Sequence, residues 1–318
     1  MASEQGSAAT ATAPRTRVPD FFIVGHEKCG TSALYEMLRS HPQIYMPNDK
    51  EPRFFAPESR LGNSPKTLEA YLQLFAAASP EQRAGEASPQ YLRSPSAARL
   101  IADVQPDARI IAIFREPAAF LRSFHLQCVA CHLETQRDLR KALELEPQRR
   151  AGKRIPRRCF SPQALAYSDH VRYVDQLRSF HAVFPPEHVL VLIYEDFRRD
   201  NEATVRSVLR FLDVDDSAPI ETVETKPLNA VRSLRMHQLR RSVRIGRRKL
   251  AGGPLGGPAY ALTHRLSASF RRIAYTPPQA PDERLMLELR RRFKGEVAAF
   301  GDYLGRDLLA AWGYDDID

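Results

Sequence analysis

Residues 21–40, FFIVGHEKCGTSALYEMLRS, constrain the fold more than any other part of the chain. Residues 21–24 form a short apolar run closed by Gly25, the pattern of a strand buried on both faces. From Thr31 onward, Ala33, Leu34, Met37 and Leu38 recur at helical spacing. A glycine-bounded turn between them delivers unpaired amides and the positive end of a helix dipole to one place, which favours an anion. Lys28 adds a charge inside that turn, and Thr31 and Ser32 add hydroxyls. The stretch predicts a phosphate-like ligand at the mouth of a buried strand.

The spacing narrows the ligand. A nucleotide-triphosphate loop reads G-x-x-x-x-G-K-(S/T), with lysine directly after the second glycine. Gly25 and Gly30 keep that separation, but Thr31 follows Gly30 and the lysine has moved back to position 28. A P-loop kinase therefore has its key cation misplaced. A plain glycine turn without a ligand also explains the loop taken alone.

The chain has 318 residues, 43% hydrophobic and 27% charged, the balance of an ordinary globular protein with room for a sizeable core. Its net charge of +9 favours anionic ligands, acidic substrates or an anionic surface. No nucleic-acid-binding motif and no apolar run long enough to cross a membrane is present. Residues 1–18 read as a disordered leader without the apolar core of a secretory signal, and 19–318 as one domain. Four cysteines do not make a disulfide framework, so a reducing, cytoplasmic setting is expected. On a helix, His125, Cys128 and His132 share a face with metal-ligand chemistry, although buried thiols on a core helix are the plainer reading.

Further motifs follow in order. Lys50-Glu-Pro-Arg-Phe-Phe55 sits in an extended, proline-flanked segment after a short strand near Ile44. Partial desolvation there would suit Glu51 to general-base work, but spacing alone favours a salt bridge with Lys50 or Arg53. Residues 67–77 read as a helix. Gly85-Glu-Ala-Ser-Pro-Gln-Tyr91 then offers Glu86 and Ser88 as cleft candidates, or else as a proline turn with a helix cap. Residues 109–114 form a second buried strand, followed by Arg115-Glu-Pro and a helix expected to reach Leu145. Arg115 leaves that strand beside a helix N-terminus, where a guanidinium can hold a second phosphate, with Ser123 eight positions on.

Residues 146–158 read as a basic loop, 162–184 as a helix and 188–194 as a third buried strand followed by a helix to about Leu212. Glu195 and Asp196, at that strand's end, read as structural. The most basic stretch, 222–250, carries Lys226, Asn229 and Arg232, then a run over 232–249 compatible with a basic amphipathic helix. Such a helix lies on an anionic membrane as readily as it faces water. A Gly/Pro loop at 251–258, a short helix at 262–274 and a long helix at 282–304 complete the chain.

Together these motifs resemble sulfotransferases that use 3′-phosphoadenosine 5′-phosphosulfate (PAPS) and release 3′-phosphoadenosine 5′-phosphate (PAP), of the bacterial type related to carbohydrate and heparan enzymes. The first loop resembles their 5′-phosphosulfate loop, and Arg115-Glu-Pro with Ser123 resembles their 3′-phosphate motif, R-(D/E)-P-x-x-x-x-x-S. Residues 50–55 resemble K-E-x-H-F-F, 85–91 resemble G-E-x-(S/T)-P-x-Y, and 304–312 resemble the common C-terminal ending of the bacterial members. Arg53 stands where many relatives carry histidine and Ala87 where some carbohydrate enzymes carry lysine, which bears on acceptor contacts, and Phe120 stands within the 3′-phosphate motif where many relatives carry arginine.

The resemblance implies a P-loop-like α/β fold in three layers, with a parallel sheet of about five strands flanked by helices. It implies sulfuryl transfer to a hydroxyl acceptor, without a metal. Catalysis falls to Lys28 and Glu51, with His26 and His125 as reserve bases. PAPS falls to Lys28, Cys29, Gly30, Thr31 and Ser32 around the phosphosulfate and Arg115 and Ser123 around the 3′-phosphate, with Asn229 and Arg232 closing over the nucleotide. A nucleotide-dependent kinase and a non-catalytic basic anion- or membrane-binding protein remain the competing classes.

Overall fold

β1 (Phe21–Ile23) is the middle strand of a five-stranded, wholly parallel sheet in the order β2-β3-β1-β4-β5. The computed structural model describes residues 17–221, 230–231, 234, 275–277 and 280–317. β2 (Ile44–Tyr45) forms one edge, β3 (Arg83–Ala87) and β4 (Arg109–Phe114) flank β1, and β5 (Val189–Ile193) forms the other edge. Phe21 pairs with Gly85 on one side and Arg109 on the other. Gly85 is required there, because a Cβ would come within 2.1 Å of the Phe21 ring.

β1 and the residues 110–114 of β4 are fully buried, as their unbroken apolar runs demand of strands covered on both faces. The chain runs from β1 out to one edge, returns through β3, then crosses to β4 on the far side of β1. The carboxyl ends of β1 and β4 therefore face the crevice where such sheets bind ligands.

α1 (Thr31–Arg39) follows β1 and buries Ala33, Leu34, Met37 and Leu38, the stripe its spacing predicts. α2 (Leu68–Leu72) is capped by Thr67 and passes into a 3₁₀ turn, Gln73–Phe75, so the helix expected over 67–77 is shorter and tightens at its end. α3 (Ala97–Val104) precedes β4, and α4 (Pro117–Ala130) follows it. α4 does not continue to Leu145: His132 takes φ 62°, reversing the chain, and the buried Glu134 carboxylate accepts the amides of Thr135 and Gln136.

α5 (Leu139–Glu144) and α6 (Glu146–Arg150) occupy part of what reads in sequence as helix and basic loop. Arg149 of that run is buried against Glu134 rather than solvated. Residues 162–184 also differ from a single helix. They form 3₁₀ turns at Pro162–Leu165 and Tyr167–Val171 before α7 (Tyr173–His181).

After β5, α8 (Tyr194–Arg199) and α9 (Asn201–Phe211) are separated where Asp200 caps the second. A two-stranded antiparallel ribbon joins β6 (Ala230–Val231) to β7 (Tyr275–Thr276). α10 (Glu283–Leu304) packs on α4 and α7 through Leu285, Leu289, Phe293, Val297 and Phe300. Leu287, one of its expected apolar positions, lies off that stripe and is exposed. α11 (Leu308–Trp312) docks by a bond from the Trp312 indole to Glu195 at 3.0 Å, so the C-terminal segment packs rather than reacts.

Among the described residues no helix is long and apolar enough to cross a membrane. The leader up to residue 16, Lys226, Asn229, Arg232, most of the basic run 232–249, the 251–258 loop and the 262–274 helix lie outside the described residues.

Candidate active site

The loop after β1 is pinned to β4. Its Val24 and His26 amides donate to the carbonyls of Ile111 and Ile113 at 2.9 and 2.8 Å, and Lys28 then turns into the left-handed region at φ 66°. Gly30 follows at φ 87°, and a Cβ there would meet the Phe197 ring at 3.0 Å. This glycine serves as the N-cap of α1 and has no side chain with which to occupy the helix's free amides. An anion fits where those amides point. Thr31 is buried in the first turn and Ser32 is exposed beside it. The Cys29 thiol faces inward and donates to the Glu27 carbonyl at 3.6 Å, so only its backbone can serve a ligand.

The turn after β4 reaches the same place. The Arg115 guanidinium donates through Nη1 to the Lys28 carbonyl at 3.0 Å and lies over the Tyr194 ring, 4.4 Å from its centroid. The Arg115 Nε is buried without a hydrogen-bond partner, a donor available to an anion. Burial first, and then the Arg115 charge, push the Lys28 ammonium below its ordinary range. The same two causes lower Arg122, one turn into α4. Such crowded positive charge is relieved by a ligand carrying several negative charges.

One expectation is corrected here. The N-terminus of α4 is not open to a phosphate, because Glu116 caps it, its carboxylate accepting from the Ala118 and Ala119 amides at 3.0 and 2.7 Å. Any phosphate grip on this side therefore depends on side chains. Ser123 lies on α4 about two turns beyond Arg115 and is half-buried.

Glu51 comes to the loop from the segment after β2. Its amide donates to the Ala87 carbonyl at 3.2 Å, which fixes it beside the end of β3, and it adopts φ 60°. Lys28 and Glu51 thus both occupy a conformation that ordinary side chains rarely take, as do Arg53 near Glu51 and, elsewhere, His132, Arg154 and Asp213. The Glu51 carboxylate accepts from Arg53 at 2.7 Å and Gln90 at 3.2 Å, with the Lys50 ammonium at 3.5 Å. Lys50 also donates to the Ser32 hydroxyl at 2.8 Å. The salt bridges that spacing favours are both formed, and through Lys50 they join Glu51 to the anion loop.

Other candidates lie elsewhere. Glu86 and Ser88 are buried, not cleft-lining. Glu86 accepts from the Tyr71 and Tyr91 hydroxyls, and burial pushes its carboxyl up to about 7. Ser88 accepts from the Arg53 amide at 3.1 Å. His26 is fully buried among Phe114, Phe120 and Tyr173, paired with the Gln176 amide oxygen at 2.7 Å, and burial lowers it to about 4. His125 is bonded to the Gln136 carbonyl at 2.8 Å and also lowered by burial. The two reserve bases are thus interior groups.

Lys50 and Gln90 lie within the 50–55 and 85–91 motifs, and Arg122 is a site neighbour that no motif marks.

The profile of the sulfotransferase family matches residues 19–218. Bifunctional heparan sulfate N-deacetylase/N-sulfotransferase 1 of Caenorhabditis elegans is 26% identical over 212 residues, 64% of this chain and 23% of its own length. Carbohydrate sulfotransferase 15 of Mus musculus is 26% identical over 248 residues, 62% of this chain and 44% of its own. The chain therefore spans less than half the length of these curated relatives. A solved sulfotransferase from Alicyclobacillus acidocaldarius superposes with a TM-score of 0.58 at 30% identity, covering 80% of this chain and all of that one. A five-stranded parallel sheet, a lysine-bearing loop ahead of an uncapped helix, and a profile match over most of the chain lead to one assignment: it belongs to the sulfotransferase family.

Proposed function

We propose that this protein transfers a sulfuryl group from PAPS to an acceptor hydroxyl, releasing PAP. The observation that carries the reading is the Lys50 bridge, 2.8 Å from Ser32 Oγ and 3.5 Å from Glu51 Oε1, which puts a carboxylate base beside an anion loop. Bound PAPS supplies the electrophilic sulfur and a phosphate leaving group. The free amides from Gly30 to Ser32 and the Thr31 and Ser32 hydroxyls receive the phosphosulfate end. Arg115 and Ser123 receive the 3′-phosphate, and Asn229 and Arg232 are proposed to close over the nucleotide.

Glu51 takes the proton of the acceptor hydroxyl as its oxygen attacks sulfur. The new oxygen–sulfur bond forms as the bond between sulfur and the phosphate oxygen breaks. Lys28 meets the negative charge that gathers on that oxygen, a preorganised electrostatic contribution of the kind usually largest in catalysis. Holding donor and acceptor in line supplies much of the rest. No step in this scheme uses a metal. The acceptor class is a glycan, a glycolipid or a small metabolite with a free hydroxyl.

Transfer of labelled sulfur from PAPS to a panel of such acceptors tests the reading. Label should appear in an acceptor with PAPS as donor; no sulfur transfer from PAPS, with phosphoryl transfer from ATP and magnesium in its place, would establish the kinase class instead. A cytoplasmic location is proposed on the cysteine usage, and peripheral contact to anionic membrane through 232–249 on charge alone. Flotation with phosphatidylserine vesicles, with that run intact or neutralised, tests it.

A further inference from the structure

Two adjacent side chains of the anion loop, His26 and Glu27, meet the His170 of the distant Tyr167–Val171 turn. One donor atom from each lies within 4.8 Å of the others, and all three residues are buried. The cluster is short of partners. His26 Nδ1, Glu27 Oε2 and both ring nitrogens of His170 make no hydrogen bond of normal geometry. Buried polar atoms are seldom left this way, and four in one place call for an explanation.

The remaining atoms of two of these groups are held in the manner of metal ligands. Gln176 accepts at 2.7 Å from His26 Nε2, which leaves the Nδ1 lone pair facing the cluster. Arg93 donates to Glu27 Oε1 at 3.2 Å, leaving Oε2 bare. Ligating histidines and carboxylates are oriented by such outer hydrogen bonds. The Gln163 and Ala164 carbonyls lie beside the His170 ring. His170, Arg93 and Gln176 also line a cavity of about 670 Å³, which gives an ion a route in.

We propose that His26, Glu27 and His170 bind one divalent transition-metal ion, zinc by its ligand chemistry, and thereby tie the anion loop to the turn that carries His170. Two imidazoles and a carboxylate with one open position form a recognised zinc set, in which donors lie roughly 3.3 Å apart around a tetrahedral ion. The ion would be structural. Two of its ligands, His26 and Glu27, lie two and one residues before Lys28, so occupancy steadies the loop without taking part in sulfuryl transfer, and the site stands whatever the acceptor proves to be.

This set differs from the His125/Cys128/His132 face that the sequence suggests. There the Cys128 thiol is pushed well up by burial, away from the thiolate a metal needs.

The test uses the full chain, stripped with a chelator and titrated with Zn²⁺ by calorimetry and with Co²⁺ by absorbance. One ion per chain is expected, with tetrahedral cobalt bands and no thiolate-to-cobalt charge transfer. Gln176→Leu, which removes the outer bond to His26, should weaken binding about 10–100-fold, and His170→Ala at least as much. Arg93→Met removes the outer hydrogen bond to Glu27 and should weaken binding likewise, a loss that stays readable if the His170 variant fails to fold. No binding by the stripped chain, a thiolate band, or binding unchanged in both Gln176→Leu and Arg93→Met would overturn the proposal.

Discussion

Arg115 donates to the backbone carbonyl of Lys28 at 3.0 Å, so the turn after β4 grips the turn after β1. The two strands are neighbours in parallel register, and each turn carries a cation, which brings the positive ends of both motifs into one crevice. The contact fixes the carbonyl side of the loop while its amides stay free. A donor phosphorylated at two places would touch both turns at once.

Lys28 is assigned to the leaving phosphate rather than to ground-state affinity. Lys28→Ala should lower kcat by about 10²–10³-fold while weakening PAP by much less, because the interaction grows with charge in the transition state. Single-turnover rates and PAP calorimetry on the same preparation check this. Equal losses in both would make Lys28 a binding residue only.

Glu51 and its bridge Lys50 should separate by role. Glu51→Gln should keep PAP affinity and lose transfer, as expected of a group that takes a proton. Lys50→Met should lower kcat less than Glu51→Gln does, since Lys50 holds the Glu51 carboxylate at 3.5 Å without touching the proton itself. Unchanged turnover in Glu51→Gln would move the base to another group.

Glu86 makes a stability prediction with a definite sign. Its carboxyl is raised to about 7 by burial in the folded chain, so between its ordinary range and pH 7 the folded state holds a proton that the unfolded state has released. Its stabilising contribution is complete below the ordinary carboxylate range and is lost as pH rises through 7. Comparing Glu86→Gln with the wild type cancels His26, whose lowered value acts in the opposite direction between pH 4 and 6.5. The variant's relative stability should climb by about 3 kcal/mol from pH 4.5 to pH 8 in urea melts. A difference independent of pH would contradict the assignment.

Glu134 and Arg149 form a buried ion pair at 2.7 Å, reinforced by the Tyr167 hydroxyl at 3.0 Å from the same carboxylate. Glu134→Ala strands a buried guanidinium and should cost about 3–5 kcal/mol. The double variant Glu134→Leu with Arg149→Met should recover part of that loss, since no charge is then left unpaired. Urea unfolding of the three proteins measures both effects.

The parallel core was legible because each strand carries its own signal. Residues 21–24 and 109–114 are apolar runs ended by a turn, and α1 and α10 show their stripes directly. The stretches misjudged from sequence are those decided by distant partners. Where α4 ends depends on the buried Glu134, and the basic run at 146–158 is partly folded because Arg149 finds that same carboxylate. Local composition contains neither fact.

The site shows the same division. The loop, Glu51 and Arg115 stood out as motifs, whereas the cap Glu116 places on α4 and the Lys50 link from Ser32 to Glu51 exist only once the chain is folded. Glu86 lies in a motif yet faces Tyr71 and Tyr91 across the interior, since a motif does not state on which side of a strand its residues point.

The most direct measurement is calorimetric binding of PAP against AMP, which differs from it only by lacking the 3′-phosphate, to the wild type and to Arg115→Ala. A clamp at both turns predicts that PAP binds the wild type at least about 100-fold more tightly, the worth of one charge-assisted phosphate contact or two, and that Arg115→Ala removes most of the preference while leaving AMP binding little changed. Equal affinities of the wild type for PAP and AMP would contradict the account.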